Sequence, residues 1–446
     1  MKTLIERSAK PGQQVSVTIP EWITATRQTH AQLAGFSFDD DPASRQLAQR
    51  LTQAKKITFH ELTSGLEIQA RSTVGSIRLG KLSLTIQPKM DGLPLMNMLR
   101  FAYGLRDLEI FDKQGFSSRP LAFQDLLILQ LIVEVEELLA RGLQRRYLRK
   151  DASLISPQGR LDFQQFTRQG GLLNGTLPCN YYHRLENNLH NQVLLSGLLL
   201  AAQITTDLIL RSRTRRLAGL LADTVTAIAL NHQVLRRVER ESNRLTEVYN
   251  PAIKLVALLL GEVGCDLDEP TEPVRLQGFL FDMNHFFQAL LSRLLNDYLE
   301  DYEVEDEHQL KGFLAYVPGF ELPNSHDPLP RPDFAIFQRG KLISLFDAKY
   351  RDMWRERLPR EMLYQLIVYA LSQQNNRTAT ILYPSLDETA REAKIQINEP
   401  VRGASSGFVV LRPVPMNTLE KYIRDKDSAS LKRFAHQLII GPKASA

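Results

Sequence analysis

The chain is poor in cysteine: Cys179 and Cys265 are the only two in 446 residues. Two thiols cannot make a disulfide framework or a cysteine-rich zinc site, so a reducing cytoplasm is the expected setting. Long apolar runs are also missing. The most hydrophobic stretches, 193–202 and 255–260, are far shorter than the roughly 20 residues that span a bilayer. They read as core helices, and no membrane partner is expected. No apolar segment follows Met1-Lys2-Thr3-Leu4-Ile5-Glu6-Arg7, so no secretory signal is expected. The chain has no Walker-type phosphate loop and no G-x-S-x-G elbow, and is not expected to bind or hydrolyse a nucleotide by itself. His183, His285 and His308 are scattered, without metal-ligand spacing. Charge of one sign is not in strong excess either. A net charge of +5 and a pI of about 9.0 permit a polyanionic partner without requiring one.

At 446 residues, two or three domains are expected. Apolar and charged shares of 43% and 24% are ordinary for a globular protein and argue against extensive disorder. The pattern gives a multidomain α/β chain in three stretches. Residues 1–118 read as a β-rich domain. Gln14–Ile19, Lys56–His60, Leu66–Ala70 and Ser83–Gln87 alternate as strands do, and Gly65, Gly75 and Gly80 mark turns. A short helix should follow, with Leu95, Met98, Leu99, Ala102 and Tyr103 on one face. Residues 119–270 read as a helical region. One helix is expected over Leu121–Leu148, then a Gly- and Pro-bearing loop, then helices from about Leu185 to Leu260. The acidic segment Asp266–Pro273 is taken as a boundary. Residues 271–446 read as an α/β sandwich. A helix with Met283, Phe286, Phe287, Leu290, Leu291, Leu294, Leu295 and Tyr298 in one stripe opens it. Strands near Phe313–Val317, Asp333–Phe337 and Leu342–Ala348 follow, then a helix over Pro359–Gln373 and a strand over Thr378–Tyr383.

The chemistry concentrates in this last stretch. Two β-prone runs, from Asp333 and up to Lys349, flank a turn at Arg339-Gly340. A hairpin there folds Asp333 back opposite Asp347, to within one residue of register. Alternation along a strand points Asp347 and Lys349 the same way. Two carboxylates and an ammonium should therefore meet at the open end of the hairpin. Such a set suits phosphodiester hydrolysis with Mg²⁺, which takes one or two protein carboxylates and keeps several waters. The carbonyl of Ala348 could add an oxygen ligand, and Lys349 could orient the attacking water. Gln365 and Tyr369, at i and i+4, share a face of the next helix. Arg351, Arg355, Arg357 and Arg360 follow the same strand and are candidates for a DNA groove, with ion pairs to Glu356 and Glu361 as the competing account. Two other basic clusters, around Arg141–Lys150 and Arg211–Arg216, could track phosphates or simply favour helix C-termini.

Pro332-Asp333, Asp347-Ala348-Lys349 and Gln365-Leu366-Ile367-Val368-Tyr369 together resemble the PD-(D/E)xK nuclease superfamily, the last run matching the Q-x-x-x-Y motif of its RecB-like branch. A further resemblance, to the McrC family, covers most of the chain. It is carried by Gly278-Phe279-Leu280-Phe281-Asp282-Met283-Asn284-His285-Phe286-Phe287, by Ile86-Gln87-Pro88-Lys89-Met90 with Met98-Leu99, and by Gly159-Arg160-Leu161-Asp162 with Asn187, Asn188 and Asn191. The resemblance implies a PD-(D/E)xK α/β nuclease domain at 271–446 and a DNA endonuclease subunit of a modification-dependent restriction or phage-defence system. It implies Asp333 and Asp347 as metal ligands, Lys349 as the assisting lysine, and Gln365 and Tyr369 near DNA. Mg²⁺ is the implied cofactor, with Mn²⁺ as a substitute. Double-stranded DNA and an AAA+ McrB-like motor are the implied partners, the motor docking on residues 1 to about 265, and self-association through the nuclease domain is compatible with it. One position departs: where the family often has a glutamate on the opening helix, this chain has Gln288, so the metal would rest on Asp333 and Asp347 alone or draw on another acid such as Glu321. Two other readings stay open: a nuclease working without a motor, and an adaptor that stimulates the motor without cutting.

Overall fold

The computed structural model describes residues 14–90, 92–106, 122–171, 175–263, 277–320, 326–374, 376–399, 401 and 403–441. The expected boundary at Asp266–Pro273, the domain edges at 118/119 and 270/271, and Glu321 lie outside the described residues. The chain forms two compact units. One comprises Met1–Val74, Leu79–Asp107 and Phe281–Ala446; the other comprises Gly75–Arg78 and Leu108–Leu280. Most of the N-terminal β-rich stretch thus falls in one unit with the C-terminal α/β stretch, and the stretch between them makes up most of the other.

In the first unit, the strand Val15–Pro20 pairs in parallel with Leu82–Gln87, from Val15 opposite Leu82 to Pro20 opposite Gln87. Its alternate residues Val15, Val17 and Ile19 are buried, as period-two patterning requires. Thr24–Ala25, Gly65–Ala70 and Ile57–Leu62 form a separate three-stranded antiparallel sheet. The helix Pro42–Gln53, not foreseen, opens on a strong start signal: Asp41 accepts the Ser44 N–H at 3.1 Å, and Pro42 fills the first helical position. The helix Gly92–Tyr103 buries Leu95, Met96, Met98 and Leu99; Ala102 and Tyr103, placed on the same face by periodicity, are only half-buried.

The C-terminal part of this unit is built on a six-stranded mixed sheet. Its order is Glu303–Asp306, Phe334–Gln338, Lys341–Ala348, Thr378–Ser385, Ser405–Pro415, Ala393–Asn398. The pairings run antiparallel, antiparallel, parallel, parallel, antiparallel. The helix Arg360–Leu371 joins the two strands of the first parallel pair. It packs Leu366, Tyr369 and Ala370 on Ala335, Leu345, Ala379, Ile381 and Val409. The alternate set, Phe334, Ile336, Phe346 and Ala348, is buried too, so both faces are covered. The opening helix is Met283–Tyr298, with all seven aliphatic and phenylalanine positions of the expected stripe buried. No strand forms at Phe313–Val317, where Phe313 and Leu314 lie in a bend and the next three residues are irregular; the first strand of this sheet is Glu303–Asp306. Phe313, Leu314 and Val317 are exposed, so the apolar pattern there has no sheet face to fill.

The second unit holds the long helices Phe123–Arg141, Leu189–Ile204, Leu208–Ala222, His232–Glu241 and Asn250–Val263. The helix expected to reach Leu148 stops at Arg141. Gly142 takes a φ of 89° there, a conformation that only glycine adopts at little cost. The chain then enters the strand Arg146–Leu154, paired along its length with Leu177–Leu185. Arg146, Arg149 and Lys150 therefore sit on an exposed ribbon, not at a helix end. Among the described residues, no helix is long and apolar enough to cross a membrane.

Candidate active site

The hairpin forms as its sequence suggests. Arg339 and Gly340 both have positive φ, 52° and 73°, the pattern of a two-residue turn matched to strand twist. The strands run back to Phe334 opposite Phe346, which brings Asp333, one residue beyond, alongside Asp347 and Ala348. The Ala348 N–H donates to Asp333 Oδ2 at 2.7 Å. Lys349 continues the ladder on the other side, its N–H donating to Leu382 O at 3.0 Å. Its ammonium lies 2.9 Å from Asp347 Oδ2 and 3.5 Å from Asp333 Oδ2. The three side chains thus meet at one point.

Asp347 is 1% exposed. Burial first, and then repulsion from Asp333, push its carboxyl well above the usual carboxylate range, against the pull of Lys349. For Lys349, burial favours the neutral form, but the two carboxylates outweigh it and the ammonium is held more firmly than usual. Asp347 Oδ1 is buried and has no hydrogen-bond partner. A carboxylate oxygen left bare in this way is costly unless something cationic meets it. Gln288 donates a long hydrogen bond to Asp333 Oδ1 at 3.4 Å, so the residue that departs from the resembled pattern does reach the site. Among the described residues, no group of three or more His, Cys, Asp or Glu side chains is gathered to hold a metal. Two carboxylates and a backbone carbonyl are what this site offers.

Gln365 Nε2 donates to the Tyr369 hydroxyl at 2.6 Å. Tyr369 is buried beside the triad. Burial chiefly, and the charges of Asp347 and Asp333 in addition, push its hydroxyl up to about 12, so it is a neutral donor at physiological pH. The arginines divide. Arg351 bonds Glu356 at 2.7 Å and stacks 5.4 Å from the ring centroid of Trp22, so it is held locally. Arg355 is 71% exposed at its side chain, 3.4 Å from Asp387 and 3.9 Å from Asp352, and stays at the surface.

Asn187, Asn188 and Asn191 lie in the other unit, where their bonds are structural. Asn188 caps the helix Leu189–Ile204, and Asn191 bonds Gln144 O, Glu186 O and the Tyr249 hydroxyl.

Sequence reasoning missed Glu21. It is fully buried, and Oε1 accepts the Lys89 N–H at 2.7 Å and the Tyr350 hydroxyl at 2.9 Å. The only sequence signal is a charged residue directly after a strand with a buried face.

The profile of the family described as "McrBC 5-methylcytosine restriction system component" matches residues 68–384, well over half of the chain. The chain belongs to the McrBC family. Its fold is shared with a chain of the "refined half-complex from tetradecameric assembly of Thermococcus gammatolerans McrB AAA+ hexamers with bound McrC". The TM-score is 0.64 and the identity 20%, over 95% of this chain and 100% of that one. A chain of the Thermococcus gammatolerans McrBC complex is 23% identical, over 65% of this chain and 89% of that one, with a TM-score of 0.47. No curated protein matches. McrBC membership fits the motif resemblance in all three stretches of the sequence, since the matched residues run from the N-terminal strands through Tyr369.

Proposed function

We propose that this chain is an McrC-type nuclease subunit, cutting DNA with Mg²⁺ in a complex with an AAA+ McrB-like motor. The observation that carries the reading is the meeting of Asp333, Asp347 and Lys349 at the end of one hairpin, with Asp347 Oδ1 buried and unpartnered. The donor set is all oxygen, which suits a hard divalent cation. Asp333 and Asp347 would hold it. The Ala348 carbonyl would be the third ligand, because N–H and C=O of a strand residue leave by the same edge and this N–H already meets Asp333. When bound, Mg²⁺ supplies polarisation of the phosphate and acidification of a coordinated water.

The chain's own groups do the rest. Asp333 is fixed by the Ala348 N–H and by Gln288, which keeps one carboxylate aimed at the hairpin end. Lys349 stays cationic between the carboxylates. It can orient a water and offset negative charge developing on the phosphorus centre. The neutral Tyr369 hydroxyl and Gln365 offer hydrogen bonds on the same side. Partnership with an AAA+ motor is supported by family membership and by the assembly in which the similar fold occurs.

The test is cleavage of methylated DNA by the assembled complex. Asp347→Ala or Lys349→Ala should abolish Mg²⁺-dependent cutting while the complex still forms. Wild-type cutting by either variant would sink the assignment.

A further inference from the structure

We infer that Tyr350 is a positioning residue for the cutting centre, and that Glu21 of the N-terminal segment sets it. The inference rests on the nuclease reading above, because it concerns how Lys349 is aimed.

Tyr350 follows Lys349 directly and is 6% exposed. Three parts of the same compact unit grip it. Its hydroxyl donates to Glu21 Oε1 at 2.9 Å. Its N–H donates to Asn284 Oδ1 at 3.1 Å, and Asn284 in turn donates to Ser72 Oγ at 2.5 Å. Its ring meets the edge of Phe287, with centroids 6.1 Å apart. The next residue, Arg351, stacks on Trp22. The strand's exit is therefore fixed at two successive residues by Glu21, Trp22 and Ser72, all far away in sequence. Asn284 and Phe287 belong to the helix that also presents Gln288 to Asp333. The groups that hold Tyr350 and those that hold Asp333 thus share one rigid element.

This arrangement is costly for folding alone. Glu21 is fully buried, its Oε2 has no hydrogen-bond partner, and among the described residues only the Lys89 N–H and a phenol bond it, the Lys89 ammonium acting from farther off. Trp22 adopts a φ of 63°, a left-handed conformation that bulky residues avoid, and its Nε1 is buried without a partner. An apolar residue at position 21 would avoid the buried carboxylate. Strain and unpaired polar groups kept together beside a reacting lysine are the pattern of a site whose geometry matters more than its stability. Lys349 must hold its place between two carboxylates to within a fraction of an ångström, and small misplacements cost rate steeply.

The experiment measures steady-state cleavage of methylated DNA by the full chain assembled with its AAA+ partner, alongside the melting temperature of the chain. Tyr350→Phe removes one oxygen. It should lower kcat roughly ten- to a hundredfold, with KM unchanged and melting within a few degrees of wild type. Glu21→Ala should lose kcat likewise. Glu21→Gln, which keeps an acceptor oxygen, should restore it. Lys349→Ala serves as the reference. If Lys349→Ala is dead but Tyr350→Phe cuts at the wild-type rate, the inference falls and the nuclease reading stands. If Lys349→Ala cuts normally, the nuclease reading itself fails. A rise in KM at constant kcat, or failure of Glu21→Gln to rescue, also overturns the positioning role.

Discussion

Asp333 stands beside Asp347 because the hairpin between them carries a one-residue bulge. Counting from the turn, Gln338 pairs with Lys341 and Phe337 with Leu342, but Ile336 pairs with Ser344, leaving Ile343 unopposed. A regular ladder from the same turn would set Asp333 against Phe346, and Asp347 would face the opposite side of the sheet. The bulge absorbs the extra residue and brings both carboxylates to one face. Its carbonyl is taken up by Asn376 Nδ2 at 3.0 Å.

Deleting Ile343 therefore has an unusual expected outcome. Turn and strand ends keep their partners in a ladder that is now regular, so Asp333 still meets Asp347. Cleavage should survive to within about tenfold, since one unpaired residue is removed and no core side chain is lost. A folded deletion variant with no activity would show that the bulge does more than set register.

Asp347→Asn should separate stability from activity. The carboxyl is buried and repelled by Asp333. Replacing it with an amide of the same shape removes a desolvated charge and keeps a partner for Lys349. The metal-free variant should melt above wild type while cutting is lost, as is common when a functional site is relaxed. Differential scanning calorimetry without divalent ions is the check; a lower melting temperature would contradict it.

Gln288→Glu should ease the metal requirement. Position 288 lies within hydrogen-bond reach of Asp333, and a carboxylate is a better ligand for a hard cation than an amide. The Mg²⁺ concentration for half-maximal cleavage should fall, and calorimetric Mg²⁺ affinity should rise. Without metal the third negative charge should destabilise the fold. Unchanged affinity would mean that position 288 does not face the metal.

Glu21 makes stability depend on pH. Burial, the largest cause, raises its carboxyl from 4.5 to about 7, although the Lys89 N–H and Tyr350 pull it down. Between these values the folded state holds a proton that the unfolded chain has released. The linked stability is complete below about pH 4.5, falls as pH rises through the window, and is gone above about 7. The difference is on the order of 3 kcal/mol. Glu21→Gln should therefore gain stability relative to wild type as pH is raised from 5 to 8. A difference constant with pH in paired denaturant titrations would refute this.

Much of the candidate site could be read locally. Asp333, Asp347 and Lys349 are joined by one turn, and Arg339-Gly340 is a strong turn signal, so a short-range rule brings them to within one residue of register. Gln365 and Tyr369 followed from helical spacing. The bulge could not be read, because nothing in Leu342-Ile343-Ser344 distinguishes a paired residue from an unpaired one. Long-range partners were also out of reach: Glu21 meets Tyr350 across 329 positions, and no periodicity carries that far. In the middle of the chain, the helical pattern extends to Leu148, while the helix ends at Arg141 and the strand Arg146–Leu154 begins within the predicted span. Its composition permits either structure, and the decision lies with Gly142 and with the pairing strand Leu177–Leu185. The sheet's last strands are Ala393–Asn398, which is mostly exposed, and Ser405–Pro415.

The discontinuous unit has a consequence for the order of synthesis. Glu21 leaves the ribosome long before Tyr350, and at about 5–20 residues per second the interval is on the order of half a minute. During that time Glu21 has no phenol to accept from. A chain that stops before residue 333 lacks the hairpin that bears Asp333, Asp347 and Lys349. The hairpin is among the last parts to be made, and Tyr350 at its exit closes on a residue that was made among the first.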